Sequence, residues 1–206
     1  MLTQLLEATL TSLWIFFLTI VLSLPLGVIV ARGRMSKSKV VSGLVNIYIM
    51  IMRGTPLMLQ ILFVYFAPYY LVGISYDRFT AVIIAFTINY AAYFAEIYRG
   101  GMQALHKGQI EAAASLGLSK WQSFVYVIVP QVFKIVLPSI GNEVITLVKD
   151  TALAQTIGVA ELFRSAQTMS SRMFSVVPIF VAGIFYFIMN AIVAKAFDIA
   201  EKRLKH

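Results

Sequence analysis

Hydrophobic residues occur along this chain in long uninterrupted blocks. They do not alternate with polar residues at the short periods typical of helices and strands in soluble proteins. Four windows of 17 to 24 residues carry no charged side chain and are rich in Leu, Ile, Val, Phe and Ala. They are 8–31, 54–76, 79–95 and 173–194. A helix needs about 20 mostly apolar residues to cross a bilayer. The pattern therefore predicts at least four membrane-spanning helices.

A fifth apolar stretch, 121–148, is long enough to span but is interrupted by Lys134, Glu143, Pro130 and Pro138. Proline inside a helix removes a hydrogen bond and kinks the helix. Such breaks are tolerated at membrane depth only where protein or water satisfies the freed backbone groups. We therefore predict a fifth span that lines an internal path.

The predicted fold is an all-α membrane protein, with one transmembrane domain over residues 1–206. Its five helices have the approximate spans 9–31, 55–74, 79–98, 124–148 and 174–196. A further apolar segment, 40–52, has only 13 residues. It is either an interfacial helix or an extension of the second span, and the Arg-Gly-Thr-Pro break at 53–56 leaves both open.

Composition agrees with a membrane location. The chain is 60% hydrophobic and only 13% charged, whereas soluble domains have about 25% charged residues. The net charge of +8 would suggest nucleic acid in a soluble protein. Here a five-span topology places 12 of the 17 basic residues on one side and 3 on the other. Basic loops stay in the cytoplasm, so we expect the N-terminus outside, the C-terminus in the cytoplasm, and no nucleic-acid partner.

The loop 100–120, between the third and fourth spans, carries a short predicted helix. Residues 109–116 are helix formers, with Gly108 before them and Gly117 after them, and Ser119 with Gln122 forms a possible capping box. A helix of two turns is not stable alone, so it needs a partner surface. Lipid is one alternative, but the segment lacks the Trp or Phe anchors of lipid-binding helices. Its small side chains favour a protein groove.

These residues resemble a known family. Glu111-Ala112-Ala113, followed by Gly117, is similar to the EAA loop of ATP-binding-cassette importer permeases. Other segments resemble the polar amino acid permeases of that family, in the same order along nearly the whole chain. They are Arg53-Gly54-Thr55-Pro56 with Leu57 and Gln60, Ala95-Glu96-Ile97-Tyr98-Arg99-Gly100-Gly101, Leu137-Pro138-Ser139-Ile140-Gly141-Asn142-Glu143 and Lys149-Asp150-Thr151-Ala152-Leu153.

The resemblance implies the transmembrane domain of a type I importer in a bacterial cytoplasmic (inner) membrane. The chain would be a permease subunit for polar amino acids that works by alternating access. Its partners would be a second permease copy or a close paralogue, two ATPase subunits and an extracytoplasmic solute-binding protein. The chain contains no Gly-Lys dipeptide and therefore no phosphate-binding loop. ATP and Mg²⁺ would be bound by the partner ATPase, and this chain would hold no cofactor or metal.

The alternative transport functions are a permease for another small polar solute and a secondary transporter. Secondary transporters usually show inverted repeats and many more spans. A membrane enzyme would need a catalytic set, and no carboxylate pair, Ser/His/Asp set or metal-ligand spacing stands out. We therefore expect that the chain is not an enzyme by itself.

In the family the loop helix docks into the ATPase. By resemblance, Glu111 is the polar anchor of this contact, and Ala112, Ala113 and Leu116 form a knob. Gly117 turns the chain back toward the membrane, besides ending the helix as a C-cap glycine.

Glu143 is the strongest candidate for contact with substrate, because ionisable residues inside a span are costly and usually functional. Its carboxylate, beside Asn142 and one turn from Thr146, could hold a substrate ammonium. The alternative is an internal ion pair with Lys134, Lys149 or Arg99. Asn89 and Tyr93 share a face of the third span and either line the same cavity or pack between helices.

Glu96 and Arg99 lie three residues apart at the end of the third span. This spacing predicts a local ion pair or a helix-end anchor. Arg53 is expected to act similarly or to contact the loop.

Overall fold

A computed structural model describes residues 1–205, apart from the side chains of Lys107 and Lys205. All regular elements in this range are helices, which agrees with the predicted all-α class. They are α1 (Leu2–Arg34), α2 (Lys39–Gly54), α3 (Leu57–Val72), α4 (Arg78–Gln103), α5 (Lys107–Ser115), α6 (Lys120–Gln122), a π-helical turn (Ser123–Ile128), α7 (Val129–Asp150), a 3-10 turn (Thr151–Ile157), α8 (Leu162–Met173) and α9 (Val177–Lys205).

Four described helices are long and apolar enough to cross a membrane. They are α1, α4, α9 and the continuous helix from Lys120 to Ile157 that contains α7. The pair of α2 and α3 passes the same test only when taken together, which would give five spans. The helices extend beyond most of the predicted segments, whose boundaries stay predictions.

The region of the second predicted span and the apolar segment before it forms two helices with a sharp bend between them. α2 and α3 are separate helices bent by 112°, so the segment before Arg53 does not simply lengthen the span at 55–74. Proline disfavours helical backbone in the residue before it, and Thr55 before Pro56 is extended, with φ −121° and ψ 149°. α3 alone has 16 residues, or about 24 Å, short of the roughly 30 Å hydrocarbon core.

α4 lies at the centre of the bundle and packs against α1, α2, α3 and α7. About two thirds of its apolar window, 67%, is buried, against 11% for α9. A stripe of mostly small side chains on α1 allows close contact with α4. At Gly27 an added Cβ would lie 2.8 Å from the Cβ of Phe94, so only glycine fits this crossing.

The predicted proline break in the fifth apolar stretch takes the form of a π-helical turn. Pro130 has no backbone N–H and lies in the first turn of α7. The helix before it widens, and the N–H of Val129 donates to the carbonyl of Phe124, five residues back. Single π turns of this kind often mark functional sites. Pro138 is accommodated inside α7.

α8 was not predicted from the sequence. It is amphipathic, and its N-cap is Glu161, whose side chain accepts from the N–H groups of Phe163 and Arg164 at 2.7 Å each. Glu161 is fully buried and also accepts from the hydroxyls of Tyr186 and Ser12. One carboxylate therefore joins α1, α8 and α9.

Candidate functional site

A cavity of about 380 Å³ opens between the end of α2, the second half of α4 and the middle of α7. Its charged lining residues are Arg53, Glu96 and Glu143, and Tyr93 and Ser139 add a ring and a hydroxyl. Both signs of charge therefore face one space. Pockets for small molecules commonly have volumes of about 300–1,000 Å³, so the cavity can hold a small polar solute.

Glu96 is shared between two arginines. Arg99 donates to both carboxylate oxygens, at 2.9 and 2.6 Å, which confirms the expected ion pair. Arg53 lies further away, with Nη1 at 3.8 Å from Oε2 of Glu96. Its guanidinium carbon is 5.3 Å from the centre of the Tyr93 ring, a cation–π arrangement. Because Glu96 is already engaged by Arg99, Arg53 keeps donors that are free for another anion.

Glu143 lines the cavity from α7 and is half-buried. Among the described side chains, no Lys or Arg nitrogen lies within 4.0 Å of its carboxylate. The alternative of an internal ion pair with Lys134, Lys149 or Arg99 is therefore not found. The cavity presents Glu143 and Arg53 as one anionic and one cationic group.

Of the two α4 residues suggested for this cavity, only Tyr93 lines it. Asn89 is buried, with 4% of its surface exposed. Its Nδ2 donates to the carbonyl oxygen of Met52 at 3.0 Å and to Oε1 of Gln60 at 2.9 Å. Asn89 thus belongs to the packing between α4 and the α2–α3 bend, one helical turn before Tyr93 on the same face of α4.

Asn142 and Thr146 also lie outside the cavity lining. Both are exposed on α7, where Oγ1 of Thr146 donates to the carbonyl oxygen of Asn142 at 3.0 Å. Ser139 and Lys149 are exposed on the same face of α7, one turn before Asn142 and one turn after Thr146. These residues form a polar stripe along one exposed face of α7.

The loop helix of 100–120 is α5, which packs against the π-helical turn before α7. Ala113 is only 3% exposed and faces its own chain, whereas Leu116 is 82% exposed. Glu111 and Ala112 are also exposed. Of the four side chains expected at the coupling contact, Glu111, Ala112 and Leu116 are therefore exposed on α5 and Ala113 is not.

The C-terminus of α5 has the geometry expected of a glycine stop. Gly117 adopts the left-handed conformation, with φ +78°. Its N–H donates to the carbonyl of Ala114, and the N–H of Leu118 donates to that of Ala113, which is a Schellman motif. The predicted capping box of Ser119 and Gln122 is also present. These two caps set the path between α5 and α7.

The roles of two residues do not follow from the sequence pattern. The sequence predicts for Arg53 only a helix-end anchor or a loop contact, and for Gln60 only a place in a family motif. The available signal was a charge beside a Gly-Thr-Pro break in an apolar segment, since broken helices at membrane depth often mark binding sites. Among the described residues, no group of three or more His, Asp or Glu side chains could hold a metal ion.

Comparison with known proteins gives one family over most of the chain. Residues 23–206 match the family described as "Binding-protein-dependent transport system inner membrane component". The chain is 36% identical to the glutamine transport system permease protein of Escherichia coli over 203 residues, which cover 98% of this chain and 93% of that protein. It is 33% identical to the arginine transport system permease protein of Bacillus subtilis, over 97% and 92% of the two chains.

The fold also resembles a solved structure. A crystal structure of an amino acid ABC transporter with histidines superposes with a TM-score of 0.90 and 35% sequence identity. The match covers 98% of this chain and 94% of the other. The similarity therefore includes the loop of α5 and the helices around the cavity.

Proposed function

Because the chain belongs to the family of inner membrane components of binding-protein-dependent transport systems, we propose that it is the permease subunit of an ATP-driven importer for polar amino acids. The observation that carries this proposal is the cavity in which Arg53 and Glu143 face one space. A free amino acid carries one ammonium and one carboxylate. The cavity offers one partner for each.

In this proposal Glu143 binds the substrate ammonium and Arg53 binds the substrate carboxylate. Arginine suits the second role because its planar guanidinium can donate two parallel hydrogen bonds to a carboxylate. The Tyr93 ring lies against one face of the Arg53 guanidinium. Because Glu96 is bound by Arg99, it leaves the Arg53 guanidinium partly free to bind substrate. The names of the relatives support amino acids as the substrate class.

The polar stripe on α7 supports a second permease subunit. Asn142, Thr146 and Lys149 are exposed in the single chain, and a polar stripe facing hydrocarbon would be costly. We propose that it faces a second copy of the chain, or a close paralogue, across a hydrated path. Asn142 and Thr146 would then contact the substrate on its way rather than in the cavity.

The exposed face of α5 is proposed to couple transport to ATP. Glu111, Ala112 and Leu116 would dock into a groove of a cytoplasmic ATPase, which binds ATP and Mg²⁺. Ala113 supports this contact from inside, because it packs within its own chain, and Gly117 sets the turn of the loop. Movement of α5 would pass through the π-helical turn into α7 and Glu143, and so drive alternating access. An extracytoplasmic binding protein would deliver the substrate.

The test is uptake into proteoliposomes that contain the whole transporter and its binding protein. Glu143→Gln keeps the shape of the side chain but removes its charge. We expect KM for the amino acid to rise by at least about tenfold, because the substrate ammonium would lose one hydrogen bond to a charged group. Glu201→Gln on α9 is the matched control, because Glu201 lies outside this cavity, and it should behave as the wild type.

Substrate analogues assign the roles within the site. The wild type should prefer an amino acid to its 2-hydroxy acid, which lacks the ammonium, and Glu143→Gln should reduce this preference. Arg53→Gln should instead reduce the preference for an amino acid over its carboxamide. Equal losses for every analogue in both variants would show that these residues act only on structure, and would overturn the assigned roles.

A further inference from the structure

We propose that Gln60 and Asn89 form a buried amide clamp that positions Arg53 in the cavity. The proposal rests on the proposed function, in which Arg53 binds the substrate carboxylate. Neither amide reaches the cavity, so both would act only through Arg53. They are positioning residues for substrate binding.

The clamp begins at the C-terminus of α2. The last carbonyls of a helix have no partner within the helix, and at membrane depth they need one from elsewhere. The carbonyl oxygen of Met52 receives Nε2 of Gln60 at 3.0 Å and Nδ2 of Asn89 at 3.0 Å. Met52 is the residue directly before Arg53, so these two bonds fix the backbone from which the Arg53 side chain departs.

The two amides also hold each other and the bend. Nδ2 of Asn89 donates to Oε1 of Gln60 at 2.9 Å. Nε2 of Gln60 further contacts the carbonyl oxygen of Thr55 at 3.2 Å and its Oγ1 at 2.8 Å. Gln60 and Asn89 are 7% and 4% exposed. Loss of either amide would leave the carbonyl oxygen of Met52 with one hydrogen-bond donor fewer, next to buried side chains.

α4 connects the clamp to the cavity. Asn89 holds the end of α2, and Tyr93, one helical turn later, lies under the Arg53 guanidinium at 5.3 Å. Glu96 follows at the next turn, with its carboxylate 3.8 Å from Nη1 of Arg53. One face of α4 therefore fixes both the backbone and the side chain of the arginine. A site arranged in advance binds more tightly, because less ordering is needed on binding.

The test compares Asn89→Leu and Gln60→Met in the complete transporter. Each removes amide donors at nearly constant volume. We expect KM for the amino acid to rise by about tenfold in each, with the maximal uptake rate within about twofold of wild type, because each variant removes one of the two amide donors to the carbonyl oxygen of Met52. Thr87→Val is the matched control, because the buried Thr87 hydroxyl on α4 has no hydrogen-bond partner, and it should leave KM unchanged.

The deciding measurement is a double-mutant cycle with Arg53→Gln. If the clamp acts through Arg53, Asn89→Leu should have little further effect on KM in the Arg53→Gln background. A full tenfold effect in that background would overturn the proposal, as would an unchanged KM in both single variants. If only one of the two clamp variants assembles, that variant supplies the cycle.

Failure of the proposed function gives a different result. An Arg53→Gln transporter with wild-type KM would show that Arg53 does not bind the carboxylate, whatever the clamp variants do. A raised KM in Arg53→Gln with normal KM in both clamp variants would leave the substrate site standing and overturn the clamp alone.

Discussion

A single backbone angle at Gly117 sets the direction in which the chain leaves α5. Its φ of +78° is disfavoured for residues with a Cβ, and an added Cβ would meet nothing within 4 Å. Any substitution at this position therefore acts through backbone conformation and not through a clash. The left-handed conformation costs an ordinary residue about 1–2 kcal/mol, and Asn tolerates it better.

We expect Gly117→Ala to weaken the coupling of ATP hydrolysis to uptake, because the loop would rearrange to relieve this strain. Gly117→Asn should restore coupling in large part. Gly108→Ala is the control, since Gly108 also lies in the loop but has no left-handed φ. The measurement is the number of substrate molecules taken up per ATP hydrolysed in proteoliposomes. Wild-type coupling in Gly117→Ala would contradict the role of the turn.

At the scale of helices, the block pattern of the sequence located most long elements. Runs without charge identify α1, α4 and α9 well, because a bilayer demands continuous apolar surface. The same rule could not resolve the bend between α2 and α3. Pro56 signals the break locally, but the contact between Gln60 and Asn89 across the bend joins residues that lie 29 positions apart and meet only in the folded chain. The geometry of the bend therefore leaves no local pattern.

The candidate site shows the same limit. Glu143 could be selected because a charge inside an apolar segment is conspicuous. Arg53 could not be assigned to the same cavity, because its nearness to Tyr93 and Glu96 depends on the bend. Helical spacing alone grouped Asn89 with Tyr93, but it could not show which of them reaches the cavity.

α8 was missed because it is short and polar, and its stability depends on a buried cap. We expect Glu161→Gln to lower the stability of the protein by about 1–3 kcal/mol, since at least one of the four donors around the carboxylate would lose its acceptor. Asp77→Asn at the exposed N-cap of α4 is the comparison and should have a smaller effect. Thermal unfolding in detergent measures both. An equal effect in the two variants would contradict a special role for the buried cap.

The dependence on pH has a definite sign. Burial raises the pKa of the Glu161 carboxyl above its ordinary value. A group whose pKa is raised by folding contributes most stability below its unfolded pKa, about 4.3 for Glu, and loses that contribution as the pH rises through the folded pKa. The stability difference between wild type and Glu161→Gln should therefore be largest in acid and smaller at neutral pH. A difference that grows with pH would contradict this.

At the scale of the whole molecule, the predicted family and inner-membrane location are confirmed by the match of residues 23–206 and by the curated permease relatives. The same relatives confirm a transport subunit rather than an enzyme. The surface explains why composition was so informative. Leu, Ile, Val and Phe side chains are exposed along α1, α3 and α9, and only lipid or another subunit can cover so much apolar surface.

The direction of insertion is a prediction of the charge distribution. Twelve basic residues on one side against three on the other place the N-terminus outside. The chain has no cysteine, so single introduced thiols report on one position each. Thr3→Cys, exposed at the start of α1, should react with a membrane-impermeant maleimide in intact cells, whereas Lys37→Cys, exposed between α1 and α2, should react only after lysis. The reverse pattern would invert the topology, and would place α5 on the wrong side of the membrane to meet a cytoplasmic ATPase.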